Sequence, residues 1–165
     1  MNVTDTVMIE MIKYYQNDPK RIQHFTKVHA YASLIGRMEG LEKEVQRILE
    51  LAALVHDIGI KPAEEKYHDC NGKLQEQEGP APAEELLKKA DVDIQDIDRI
   101  KYLIAHHHTY SNIDGMDYQI LVEADFLVNL YEDGLNKENI YAVRESVFRT
   151  NSGIQILNEM FGLEI

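Results

Sequence analysis

Cysteine is nearly absent from this 165-residue chain, in which Cys70 stands alone. No disulfide can form within it, and a reducing compartment, the cytoplasm, is the expected setting. Long apolar runs are missing as well. No segment approaches the roughly 18 uninterrupted apolar residues that a membrane span requires. The first residues, Met1-Asn-Val-Thr-Asp-Thr-Val-Met-Ile-Glu10, mix acids with apolar residues and lack the basic start of a secretory signal. Basic side chains are in short supply: 17 Lys and Arg against 29 Asp and Glu leave a net charge of −12. Nucleic-acid binders draw most of their affinity from neutralising phosphates with Lys and Arg, so a DNA or RNA partner is not expected. A small phosphorylated substrate stays compatible with this charge, because a bound cation reverses the field locally. The chain also lacks a glycine-rich phosphate loop, an internal repeat, a low-complexity tract and any strand-like alternation of apolar and polar residues.

What the chain does have is apolar residues at helical spacing almost throughout, with hydrophobic content of 44% and charged content of 28%. That balance is ordinary for a globular domain, and the length suits one domain with a core of its own. The pattern predicts an all-α, single-domain bundle over residues 1–165 with seven to eight helices and no sheet. A first helix is expected from about Thr4, its N-cap, to Gln16. Asp18-Pro19 reads as a cap followed by proline at the first helical position, opening a second helix that ends near Gly40. A third, from Glu42 to Asp57, carries Leu49-Glu-Leu-Ala-Ala-Leu-Val55, apolar nearly all round, and belongs in the middle of the bundle. Residues 60 to about 80 are polar and read as one long irregular segment. Further helices follow over Ala83 to Ala90, over Ile94 to about His107 with Asp93 as cap, over Tyr118 to Glu132, from Lys137, and after Ser152.

Several polar residues fall on faces that should point inward. His24 lines up with Val28, Ala32 and Ile35, whereas His29 is rotated by about 140° from it and is expected to face outward. His56 continues the line of Leu49, Ala52 and Ala53, with Asp57 beside it. Asp125 lies within Ile120-Leu-Val-Glu-Ala-Asp-Phe-Leu-Val128. A buried carboxylate pairs, protonates or binds a metal. Each residue has its own simple account: a hydrogen-bonded core histidine, an Asp57–Lys61 ion pair, a salt bridge from Asp125 to a buried Arg or Lys. One cation explains all of them together. Two imidazoles and two carboxylates from three helices make a mixed N/O site suited to Mn, Fe, Co, Ni, Zn or Mg.

In order along the chain, a helix-borne histidine, a His-Asp pair closing an apolar helix and a later aspartate resemble the H…HD…D signature of the HD superfamily. His24-Phe-Thr-Lys-Val28, Leu51-Ala-Ala-Leu-Val-His-Asp-Ile-Gly59 and Glu123-Ala-Asp125 carry the likeness, which extends over roughly residues 20 to 131, with the C-terminal helices of 137–162 packing on that core. The resemblance implies an HD-type helical fold and metal-dependent hydrolysis of a small phosphate ester, often a nucleotide. It implies His24, His56, Asp57 and Asp125 as metal ligands, with Asp57 also accepting a hydrogen bond from the attacking water. Members with two metals usually add a histidine before a Gly-x-x-Ala helix and a His-His pair after the next one. Here Glu78 of Gln77-Glu78-Gly79-Pro80 stands about where that histidine would be, so a second ion would rest on an irregular set of Glu78, His107 and His108. His107 and His108 otherwise serve the substrate phosphate, or the run His106 to His108 is simply an exposed helix end. Lys61 is a candidate phosphate contact or a solvated lysine paired with Asp57 or Glu65. A metal- or nucleotide-binding module without activity and an HD-type diiron oxygenase are the alternative functions, and a homodimer is compatible with a domain of this kind. Phe148-Arg-Thr-Asn-Ser-Gly153 resembles a segment of some HD hydrolases, and its residues suggest no role.

Overall fold

The computed structural model describes all residues, Met1 to Ile165, as helices and short connections around one core. α1 (Val3–Tyr14) starts at Asn2, whose side chain accepts a hydrogen bond from Asp5 N; the expected cap Thr4 is already inside the helix. α2 (Pro19–Met38) begins as the Asp18-Pro19 pair dictates, with the Asp18 carboxylate accepting from Arg21 N. α3 (Lys43–Val55) follows. Leu49 and every residue from Leu51 to Val55 are fully buried, as a central helix requires, and α3 packs against α1, α2, α7 and α8.

The expectation of one irregular segment after Gly59 is corrected. Two short helices, α4 (Ile60–Tyr67) and α5 (Gly72–Glu78), occupy it and raise the count from the expected seven to eight to ten. α4 buries only Ala63 and α5 buries nothing completely, so neither has an apolar stripe to announce it. Gly59 makes their packing feasible, because a Cβ there would sit 2.5 Å from Gln75 O and 2.7 Å from Gly79 N. α6 (Pro80–Lys89) and α7 (Ile94–His106) pair with each other, and Asp93 caps α7 by accepting from Gln95 N.

α8 (Met116–Glu132) is the second central helix. It packs along α2 and α3 and buries every residue from Asp117 to Asp125. α9 (Lys137–Ser146) and α10 (Asn151–Phe161) close the bundle, with α10 against α8, α2 and α9. No helix is long and apolar enough to cross a membrane.

Candidate metal centre

Three helices converge at one point of the core. His24 comes from the first half of α2, His56 is the C-cap of α3 with Asp57 next to it, and Asp125 lies midway along α8. All four are buried, and His56 completely so. The turn that carries His56 and Asp57 is tied down by the Tyr15 hydroxyl, which donates to Asp57 O (3.2 Å) and Ile58 O (3.3 Å).

The donor atoms face one another. His24 Nε2 lies 3.3 Å from His56 Nε2, 3.0 Å from Asp57 Oδ2 and 3.3 Å from Asp125 Oδ1. His56 Nε2 lies 3.3 Å from the same Asp57 oxygen and 3.2 Å from the same Asp125 oxygen. Atoms spaced in this way are neighbours on a sphere of roughly 2.0–2.3 Å radius, the distance at which Zn and similar ions take imidazole and carboxylate ligands.

Proton bookkeeping supports the fit. His56 Nδ1 is 2.7 Å from Ala53 O, which only accepts, so Nδ1 carries a proton, and His56 in its neutral form turns a lone pair towards its three neighbours. His24 Nδ1 is 3.2 Å from a Glu132 carboxylate oxygen, and the same reasoning applies. Lone pairs of two imidazoles and two carboxylates at this spacing repel unless protons or a cation sit among them. His24 is indeed a hydrogen-bonded core histidine, but the ordinary accounts of the two carboxylates do not hold. Asp125 meets no Arg or Lys, and Lys61 turns away to donate to Tyr14 O at 3.2 Å, its Nζ over the Tyr14 ring.

The HD domain model matches residues 21–144. The chain belongs to the HD domain family. Among solved structures it is similar to a protein described as a predicted HD superfamily hydrolase from an uncultured Thermotogales bacterium. The two share 23% identity, the similarity covers 98% of this chain and 92% of that one, and the TM-score is 0.67, a likeness of fold. No curated protein matches.

In this HD domain a second group stands beside the first. Asp57 Oδ1, the oxygen that the four-residue cluster leaves free, lies 3.0 Å from His107 Nε2. His107, the buried C-cap of α7, donates Nδ1–H to Ile104 O at 2.7 Å. His108 is less committed to this group: its Nε2 is 3.9 Å from Asp57 Oδ1 but 2.8 Å from Gln75 Oε1 on α5. Glu76 fixes the same turn by accepting from His108 N (3.1 Å) and Thr109 Oγ1 (2.9 Å). Glu78 does not join the group, because its carboxylate pairs with Lys66 Nζ at 2.9 Å. His106, outside the group, stacks on Tyr102. His29, expected to face outward, is half-buried and lies 3.5 Å from Glu50.

A cavity of about 220 Å³ opens over the cluster and exposes His24, Asp57 and His108. Lys20 and Arg21 line one part of it, and Asn129, Glu132 and Asp133 another. Sequence reasoning missed these residues together with Gln75 and Glu76. Glu132 had a signal, since it follows Asp125 by seven residues and so shares its face of α8. Lys61 does not line this cavity.

The cluster also sets the pH behaviour of the metal-free protein. Burial opposes a charge on His24, but hydrogen bonds to Asp125 and Asp57 outweigh it and raise His24 to about 9. Burial likewise opposes charge on Asp57 and Asp125, yet the neighbouring His56 holds both well below the usual carboxylate range. A raised histidine contributes stability that is complete below the unfolded value near 6.5 and lost as pH rises through about 9. The depressed aspartates contribute stability that is present above their unfolded value of 3.8 and lost at lower pH. His108, held down to about 4 by burial and by the neighbouring His107, acts in the opposite sense and removes stability as pH falls below 6.5, so in chelator urea midpoints are expected to peak near pH 6.5 and to fall towards pH 9. A midpoint that rises across that upper interval would contradict the charge arrangement.

Proposed function

We propose that this HD domain is a metal-dependent hydrolase of a small phosphate ester, a nucleotide or related phosphomonoester. One divalent cation (Mn, Fe, Co, Ni, Zn or Mg) would be held by His24, His56, Asp57 and Asp125. The observation that carries this reading is the convergence of four donor atoms, 3.0–3.3 Å from their neighbours, beneath an open polar cavity. Such an ion, when bound, neutralises a phosphoryl oxygen and lowers the pKa of water.

The residues of the chain supply the rest. Asp57 offers Oδ2 to the cluster and keeps Oδ1 on the side of His107, where it accepts a hydrogen bond from the water that attacks phosphorus. As the P–O bond to the ester oxygen breaks, the departing alcohol needs a proton: the attacking water gives one up to Asp57 Oδ1, and the lone pair of His107 Nε2, 3.0 Å away, takes it over and passes it to the alcohol oxygen. Burial and the neighbouring His107 push His108 down to about 4, so near pH 7 it meets a phosphate as a neutral N–H donor. Lys20 and Arg21 are the Lys and Arg side chains of the cavity wall, Arg21 paired with Asp18 and Glu64, and Lys20 is the better candidate for the phosphate contact first assigned to Lys61.

The Asp57, His107 and His108 group could take a second ion only if His108 released Gln75. A diiron oxygenase needs that second ion. The expected result is thus close to one metal per chain by elemental analysis after saturation with Mn or Fe, with turnover in a screen of phosphorylated nucleotides and general phosphatase substrates. Two metals per chain would revive the dinuclear readings. One metal with no turnover on any phosphate ester would favour the inactive binding module. Lys61→Ala is expected to leave turnover within about twofold of wild type, as for a surface residue away from the site.

A further inference from the structure

The three buried imidazoles of the centre are not held alike. His56 and His107 are C-caps, and each donates Nδ1–H to a carbonyl three residues back, Ala53 O and Ile104 O, both at 2.7 Å. Those carbonyls belong to the last turn of a helix, where no backbone N–H claims them. His24 has no such resource, because it lies inside α2, where the neighbouring carbonyls are already used by the helix. Its Nδ1–H meets instead Glu132, 108 residues away at the end of α8, at 3.2 Å. The other Glu132 oxygen is 3.8 Å from Lys27 Nζ, which steadies the carboxylate from outside. Glu132 follows Asp125 by seven residues, so one face of α8 presents both a donor to the cluster and the group that aims the opposing histidine.

We infer that Glu132 is a positioning residue for the metal centre: it fixes the tautomer and the ring orientation of His24 and strengthens the imidazole as a donor. This rests on the metal reading of the cluster given above. The carboxylate does not reach the ion itself, since it faces the nitrogen on the far side of the ring from Nε2. A charged acceptor behind a ligating imidazole raises its basicity, and loss of such partners weakens metal binding by about 10–100-fold.

The test uses the full chain, Zn²⁺ affinity by competition with a chromophoric chelator, and the visible spectrum of the Co²⁺-loaded protein. Glu132→Ala is expected to lower Zn²⁺ affinity by about 10–100-fold and to change the Co²⁺ bands. Glu132→Gln keeps an acceptor for Nδ1–H without the charge, and is expected to recover most of the affinity and the wild-type bands. A general loss of packing would not be rescued in this graded way, and urea midpoints measured in chelator provide the check on folding. If wild type binds Zn²⁺ and Glu132→Ala binds it equally well with the same Co²⁺ spectrum, the positioning role is overturned while the metal centre stands. If wild type binds neither ion, both fall.

Discussion

Asp57→Ala is expected to abolish metal binding and hydrolysis together while the far-ultraviolet circular dichroism stays at the wild-type level. Asp57 is the one residue that serves both groups of the centre. Oδ2 lies 3.0 Å from His24 Nε2 and 3.3 Å from His56 Nε2, and Oδ1 lies 3.0 Å from His107 Nε2. Alanine removes a charged donor, the proposed acceptor for the attacking water and the counter-charge of three imidazoles in one step. Partners outside the ligand shell are worth about 10–100-fold in affinity, so a ligand shared in this way should cost more than about 100-fold. Equilibrium dialysis against micromolar Mn or Zn measures the loss directly. Asp57 follows α3 in the chain and its side chain takes no part in the apolar core, so the helices persist. A variant that keeps a full complement of metal would dispose of the ligand assignment.

Glu123→Ala is expected to be the most destabilising substitution at any polar residue here, by about 3–5 kcal/mol, which for a chain of this length lowers Tm by roughly 10 °C. Glu123 is fully buried on α8, two residues before Asp125, and meets no Lys or Arg side chain. Its partners come from the C-terminal segment and, in Gln119, from α8 itself. Arg149 N and Thr150 N each donate to Oε2 at 3.0 Å, Thr150 Oγ1 donates to Oε1 at 2.6 Å, and Gln119 Nε2 donates to Oε2 at 2.6 Å. Alanine would strand these donors in the interior, each at a cost of about 1–3 kcal/mol. Glu123→Gln keeps an acceptor for the backbone groups and should lose only about 1 kcal/mol. Gly153→Ala attacks the same cage from the other side, because a Cβ there would lie 1.9 Å from Glu123 Oε1 and 2.7 Å from Thr150 Oγ1. Differential scanning calorimetry in chelator distinguishes the three, and a Glu123→Ala protein melting within a degree or two of wild type would refute the cage.

This cage gives Phe148 to Gly153 the role that their residue types could not. Periodicity located every helix with an apolar face, and it set α3 at the centre because Leu49 to Val55 are apolar nearly all round. It also found the four converging residues, since an acid or histidine on an inward line stands out against aliphatic neighbours. It failed for α4 and α5 for a physical reason. The inner side of α5 meets His108 and Thr109 rather than a core, so Gln75 and Glu76 are polar where a packing helix would be apolar. Lys61 and Glu78 were assigned by their place along the chain, and the structure turns them to Tyr14 and Lys66 instead. Contacts between residues far apart, such as Glu132 with His24 or Glu123 with Thr150, leave no periodic trace. They depend on how α8 is placed against α2 and α10.

The Glu123 cage also bears on when the centre can form during synthesis. A domain generally folds as a unit once its parts have been synthesised, and His24, His56 and Asp57 leave the ribosome before the rest of this one. α8 cannot settle until residues 149–153 arrive to satisfy its buried acid, and Asp125 waits with it. A nascent chain stalled before Thr150 would thus present two imidazoles and one carboxylate on a loosely seated scaffold, and on the proposed metal reading an ion is expected to load only after residues 149–153 have emerged.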